Sequence, residues 1–280
     1  MCIERMVQRT GRGGRKGGFT LVELLVVISI IAVLLTVLIP ALRVAREQAS
    51  GAVCLVNQRS LLQGWIMYAD ENNGNLVGAD NNWSGWVVQP LALDGTPIST
   101  WTTINGITVS GATLEDKKRG IMAGRLWKYV ENLDVYNCPG DRRRLNSQQR
   151  TFRTYSISTA MNSSYGYTTG VQKMGAIKMP ENVYAFVEEA DMRGWNLNSW
   201  AVNPIDSPDK DWWVDELAIW HNKASTLGFV DGHAEMHKWA DERTIEIMAS
   251  GNKWDKLFSP DNDDLHYMQE HYGVRSNHTK

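Results

Sequence analysis

The chain has 280 residues, 43% of them hydrophobic and 21% charged, with a formal net charge of −2. That length suits one sizeable globular domain with accessories. The charge is unevenly placed: residues 1–18 carry Arg5, Arg9, Arg12, Arg15 and Lys16 against Glu4, a net of +4, which leaves −6 on the remainder. An acidic balance spread along residues 19–280 is no electrostatic footprint for nucleic acid or anionic lipid, so neither is an expected partner.

Residues 19–42 form an apolar run interrupted by a single acid, Glu23, five places in. About twenty apolar residues are enough to cross a bilayer. Positive charge directly before the span holds that end in the cytoplasm and puts residues beyond about 45 outside. An ordinary secretory signal has a core of roughly 7–15 residues and a cleavage site on its far side, which does not fit here. A plain signal anchor accounts for the span but not for Glu23, because a carboxylate inside a membrane helix is costly and marks a functional site.

Residues 43–69 continue as helix, with Leu55, Leu62, Ile66 and Ala69 forming a one-faced stripe. Arg43, Arg46, Glu47, Gln48, Asn57, Gln58 and Arg59 fall on the other faces. One helix from Phe19 to about Asp70 is roughly 78 Å long at 1.5 Å per residue. Pro40 inside it favours a kink, and the run Asp70 to Asn75 closes it.

Beyond the helix, residues 75–112 read as short strands and loops rich in Gly, Trp and Thr. Thr113 to Asn132 reads as a second helix opened by a Thr113/Asp116 capping box, with Gly120 and Gly124 against it. Asn137 to Asp141 is a loop, and Arg142-Arg143-Arg144 a solvated turn. Thr151–Ile157 and Val183–Val187 are strands; Ser225 to Trp239 is a hairpin turning on Asp231-Gly232 through a two-residue type I′ loop. Asp241–Ser250 is a short helix closed near Gly251.

The run from Gly18-Phe19 through Glu23 closely resembles the type IV prepilin signal. Further along, Cys54-Leu-Val-Asn57 through Gly74 resembles the continuation of that helix in one pilin-like family. The segments Asn137-Cys138-Pro139 and Tyr155-Ser156-Ile157 are similar to its middle part, and His221 followed by nine residues and Asp231-Gly232 is similar to its H-X9-DG motif.

The resemblance implies a pilin or pseudopilin of a type II secretion or type IV pilus-like system, with an α+β, pilin-like fold: a long N-terminal helix on a β-rich head. It implies cleavage after Gly18 and N-methylation of Phe19 by a prepilin peptidase, with Glu23 meeting the amine of a neighbouring subunit. The expected organisation is a leader (1–18), a transmembrane and assembly helix (19–42), its amphipathic continuation (43–70) and a periplasmic head (71–280). The expected partners are the peptidase, other pilin subunits and an inner-membrane assembly machinery.

Loss of the leader removes Cys2 and leaves Cys54 and Cys138, which permits one disulfide in an oxidising compartment or leaves two buried thiols. No phosphate-binding loop and no nucleophile in a recognisable setting appears, so an enzyme is not expected. His221, Asp231, His233 and His237 could suggest a membrane-anchored metallohydrolase, but hydrogen-bonded structural histidines account for them, and no metal or other cofactor is expected. Asp261-Asn262-Asp263-Asp264 lacks the Gly and late Glu of a calcium loop. Twelve tryptophans, six of them (Trp83, Trp86, Trp195, Trp200, Trp212 and Trp213) in polar stretches, leave a choice between an adhesive, sugar-binding surface and a Trp-filled core.

Overall fold

A computed structural model describes residues 19–99, 101–104, 107–141, 143, 151–164, 170–191, 193, 196, 198–250 and 257–273. The leader, Gly18, Arg142, Arg144, Trp195 and Gly251 lie outside these residues. The chain divides into two compact units, up to Val44 and from Ala45 on.

The first long element is α1, Leu21–Glu71, which runs through Pro40. Its most apolar 18-residue stretch has a mean hydropathy of 3.0 and no buried residue, and it is the one helix among the described residues long and apolar enough to cross a membrane. Thr20 and Glu23 open it reciprocally. The Glu23 amide donates to Thr20 Oγ1 (3.2 Å), while the Thr20 amide and hydroxyl donate to Glu23 Oε2 (2.8 and 2.7 Å). This is a capping box that satisfies donors otherwise orphaned at a helix start.

From Ala45 on, α1 packs into the head, and the buried face differs from the expected one. Gly51, Cys54, Asn57, Gln58, Leu61, Leu62, Gly64, Trp65 and Ala69 are buried. Asn57 and Gln58, expected on solvent faces, turn inward because each finds a backbone partner. Asn57 Nδ2 donates to the Asn137 carbonyl (3.2 Å), and Gln58 Nε2 donates to the carbonyl and hydroxyl of Thr226 (2.6 and 3.0 Å). Buried amides are tolerated when so bonded. The helix ends in a turn with Asn73 and Gly74 at φ 56° and 76°.

Strands β1 (Trp101–Ile104) and β2 (Ile107–Ser110) form a small hairpin. Helix α2, Leu114–Met122, carries the expected capping box but stops ten residues short of Asn132. The glycines in and just after it are explained by close approach. A methyl on Gly124 would lie 2.1 Å from the Trp86 carbonyl oxygen, and one on Gly120 would lie 2.5 Å from that of Gln89. The two backbones touch, and only glycine permits it.

The head is built on an antiparallel sheet in the order β3 (Tyr155–Ile157), β4 (Tyr184–Glu188), β5 (Ala224–Phe229), β6 (Ala234–Lys238). Every residue of β3, β4 and β5 is buried, so the sheet is covered on both faces, while β6 is a largely exposed edge. The strand expected over Thr151–Ile157 is only three residues long. The β5–β6 turn is not type I′, which needs positive φ at both central residues. Gly232 is at φ 97° and Asp231 is not in that region. With Gly232 N–H on Phe229 O (2.9 Å) and Phe229 N–H on His233 O (2.8 Å), it is a three-residue loop ending in a left-handed glycine.

Helix α3, Glu242–Ser250, falls as expected, and α4, Asp263–Glu270, occupies the acidic C-terminal stretch. Asn262 caps α4 through Leu265 N–H (2.9 Å), and Asp264 accepts from the amides of Ala240 and Asp241.

Arg143 is a further correction. It is buried, paired with Asp141 (2.8 Å) and donating to the carbonyls of Asp191 and Glu189 (2.7 and 3.0 Å). Five tryptophans, Trp65, Trp86, Trp200, Trp213 and Trp239, fill the core. Trp83 and Trp212 are exposed, and Trp212 leans on Phe258, 4.9 Å between ring centroids.

Candidate functional site

Two places in the molecule gather the residues that the sequence singles out. The first is the start of α1. Phe19 through Leu42 are exposed apolar side chains apart from a few small or hydroxylated ones, and Glu23 is the one carboxylate among them. Its oxygen Oε2 is held by Thr20, as described above, so the chain alone supplies this acid with a partner at the head of its own helix. Serine and threonine further along do the same for themselves: Ser29 and Thr36 return their hydroxyls to the carbonyls of Leu25 and Ala32 (2.7 Å each). Hydroxyls that bond back to the helix are masked from a bilayer or a packed helix bundle.

The second place lies in the head, where α1 meets three other segments. Cys54 comes from α1, Cys138 from the loop after the 3-10 turn Leu133–Tyr136, Glu188 from the end of β4, and His221 from the turn before β5. All four side chains are buried. Cys54 Sγ lies 2.7 Å from Cys138 Sγ, with both thiols free. Cys138 Sγ lies 3.4 Å from His221 Nε2, which in turn lies 3.1 Å from Glu188 Oε1.

The surrounding backbone fixes these groups. The other ring nitrogen of His221, Nδ1, faces the Glu47 carbonyl (3.2 Å) and Ser50 Oγ (3.0 Å). Glu188 Oε2 accepts from the Thr226 amide (2.6 Å), and Cys138 Sγ accepts from the Gly140 amide (3.2 Å). The imidazole is seated between two glycines. A methyl on Gly51 would stand 3.3 Å from its Cγ, and one on Gly140 would stand 3.2 Å from its Cε1.

Burial pushes the thiols of Cys54 and Cys138 up. It also pushes the His221 imidazolium down, but the contacts with Cys138 and Glu188 outweigh it and lift this group to about 10. Without any further species, the pocket therefore holds two neutral thiols beside a protonated imidazole.

The grouping of His221 with Asp231, His233 and His237 that a metallohydrolase would need does not form. Asp231 and His233 pair with each other (2.6 Å) at the hairpin tip, where His233 stacks on Phe229. His237 stacks on Tyr267, 3.8 Å between centroids. His221 meets two cysteines and a glutamate instead. The sequence reading finds three of these four residues in separate motifs and misses Glu188, which lies 33 residues from His221 in a strand with no distinguishing pattern.

A long N-terminal helix whose part from Ala45 on packs on a four-stranded antiparallel sheet is an α+β, pilin-like architecture. Residues 14–39 match the prokaryotic N-terminal methylation motif, so the chain carries the signal of a type IV prepilin. It is similar to the type IV wide pilus major component PilA4 of Thermus thermophilus. The two are 46% identical over 56 residues, which is 20% of this chain and 43% of that protein. The chain thus spans about two fifths of the length of the curated relative it matches. No solved structure matches the chain.

Proposed function

We propose that the chain is a pilin-like structural subunit, cleaved after Gly18, methylated on Phe19 and polymerised through residues 19–42 into a type IV pilus-like or type II secretion-like filament. The observation that carries this reading is the methylation motif at residues 14–39, lying over the apolar run 19–42 in which Glu23 is the one acid. The subunit is held in the bacterial inner membrane by this single span, with the leader cytoplasmic and the head periplasmic. Its partners are a prepilin peptidase, other pilin subunits and the assembly machinery.

The chemistry of assembly follows from burial. Cleavage leaves a cationic amine on Phe19, and helix bundling takes both that amine and the carboxylates of neighbouring subunits out of water. Either charge buried alone is expensive. Moving Glu23 from the Thr20 cap onto a neighbour's amine satisfies both and fixes the axial register, a specificity role attested for some buried ion pairs.

Glu23→Gln separates capping from ion pairing, because glutamine also completes a capping box. Expected: normal cleavage and membrane insertion, but loss of shear-recoverable multimers, since a partnerless buried amine costs about 3–5 kcal/mol per added subunit. Wild-type multimer yield from Glu23→Gln in cells carrying the assembly machinery would refute the pairing. Edman sequencing that starts anywhere but at N-methylated Phe19 would refute the processing.

A further inference from the structure

We propose that Cys54, Cys138, His221 and Glu188 are the four ligands of a structural zinc ion that joins α1 to the head. Two sulfurs, one imidazole nitrogen and one carboxylate oxygen, from four segments of the chain, all lie within 4.8 Å of one another. Tetrahedral zinc with ligand distances of about 2.0–2.3 Å spaces its donors roughly 3.3–3.8 Å apart. The main adjustment is a parting of the two sulfurs, now 2.7 Å apart.

The outer contacts are those a metal ligand set needs. His221 Nδ1 is occupied by the Glu47 carbonyl and Ser50, which aims Nε2 inward. Glu188 Oε2 is held by the Thr226 amide, leaving Oε1 as donor, and the Gly140 amide already points at Cys138 Sγ. Such contacts fix the orientation and basicity of ligands.

Binding releases three protons to water, one from each thiol and the Nε2 proton of the imidazolium, and the imidazole that binds is neutral, keeping its proton on Nδ1. Two thiolates and a carboxylate around Zn²⁺ leave one net negative charge, which the Thr226 and Gly140 amides face. Thiolate with imidazole selects a borderline-soft ion over calcium or magnesium, and zinc has no redox chemistry to turn on its own thiolates. With four protein donors, all buried, the site is closed, as structural zinc sites are and catalytic ones are not. A Cys54–Cys138 disulfide uses the same sulfurs and excludes the ion, so the two are distinguishable outcomes.

The test is zinc stoichiometry by plasma mass spectrometry on the full chain, purified from membranes in detergent without chelator. Non-reducing intact mass after denaturing alkylation in chelator accompanies it. Expected are one zinc per chain and two alkylated thiols, with zinc lost in His221→Ala and kept in His233→Ala. Because loss of the buried imidazole can itself unfold the head, the wild type is also stripped with chelator and refilled. The ion should return to one equivalent from zinc chloride and fail to return after thiol alkylation. A metal-free chain lighter by two hydrogens is the disulfide and overturns the proposal. Two free thiols without zinc, stoichiometric copper or iron in its place, or zinc retained by His221→Ala overturn it as well.

Discussion

Gly228, the last residue but one of β5, sets how closely α1 approaches the sheet, and Gly228→Ala tests that approach. A methyl there would stand 2.4 Å from Gln58 Oε1, 2.9 Å from Leu62 Cδ1 and 3.4 Å from Leu62 Cγ. Carbon–carbon contacts are most favourable at about 3.5–4.0 Å, so Leu62 must retreat by roughly 0.6–1 Å. It has little room to do so, being fully buried in a close-packed core. Gln58 cannot swing aside freely, because its amide nitrogen is tied to Thr226. Overpacking of this kind costs about 1–3 kcal/mol. Leu62→Ala alone should cost about 3–5 kcal/mol through lost burial and a cavity. Together, the new methyl occupies space that the leucine vacates, so the double variant should be more stable than additivity predicts by about 1–2 kcal/mol. Urea unfolding of the chain in detergent, followed by near-UV circular dichroism, measures all four corners of the cycle. Wild-type stability of Gly228→Ala, or strict additivity in the double variant, would refute the close-approach account.

Gly124→Ala should destabilise more, by about 3 kcal/mol or above, because its methyl meets the backbone of Trp86 and Val87 rather than a movable side chain; the same unfolding assay checks it. Thr113→Ala should cost about 1 kcal/mol by opening the α2 capping box, and equal unfolding midpoints would contradict the cap. Burial first, and then the charges of Asp215 and Asp191, push the Glu189 carboxyl up from 4.5 to about 8. Between those values the folded chain holds a proton that the unfolded chain releases, so this contribution to stability is present below about pH 4.5 and is lost as pH rises through about 8. Glu189→Gln, which mimics the protonated acid, should flatten that part of the thermal-stability profile between about pH 5 and 8; an unchanged slope would show Glu189 ionised in the folded state.

What the sequence made legible is what local patterns encode. The apolar run, the Thr113/Asp116 cap, β4 and the β5–β6 hairpin each rest on residues a few places apart, and each is found where those residues put it. The failures are tertiary. Gln58 and Asn57 look like solvent-face residues until backbone carbonyls from Thr226 and Asn137 are brought to them. Arg143 looks like part of a charged turn until Asp141 and the carbonyls of Glu189 and Asp191 surround it. Gly120 and Gly124 look like helix breakers, yet they exist to let a neighbouring backbone in. A short-range rule cannot supply any of these partners.

The histidine of the H-X9-DG stretch is the sharpest instance. Nine residues separate His221 from Asp231, and that spacing invites a shared role for the two ends. The structure gives them different surroundings. Asp231, exposed, and Gly232 shape the three-residue loop, where the acid accepts from His233 N–H (3.1 Å) and the glycine takes the left-handed conformation. His221 is buried at the foot of the same hairpin, between Gly51 of α1 and Gly140 of the cysteine loop. Strand β5 lies between the two ends, so the spacing is the distance needed for one β-strand and its turn. The motif is then a measure of hairpin length, and the chemistry belongs to its first residue, which reaches the two cysteines from segments 167 and 83 positions away in the chain. A change in strand length beyond Thr226, whose amide holds Glu188, should therefore move the hairpin tip and leave the pocket intact, whereas any change at His221 acts directly on the junction between α1 and the head.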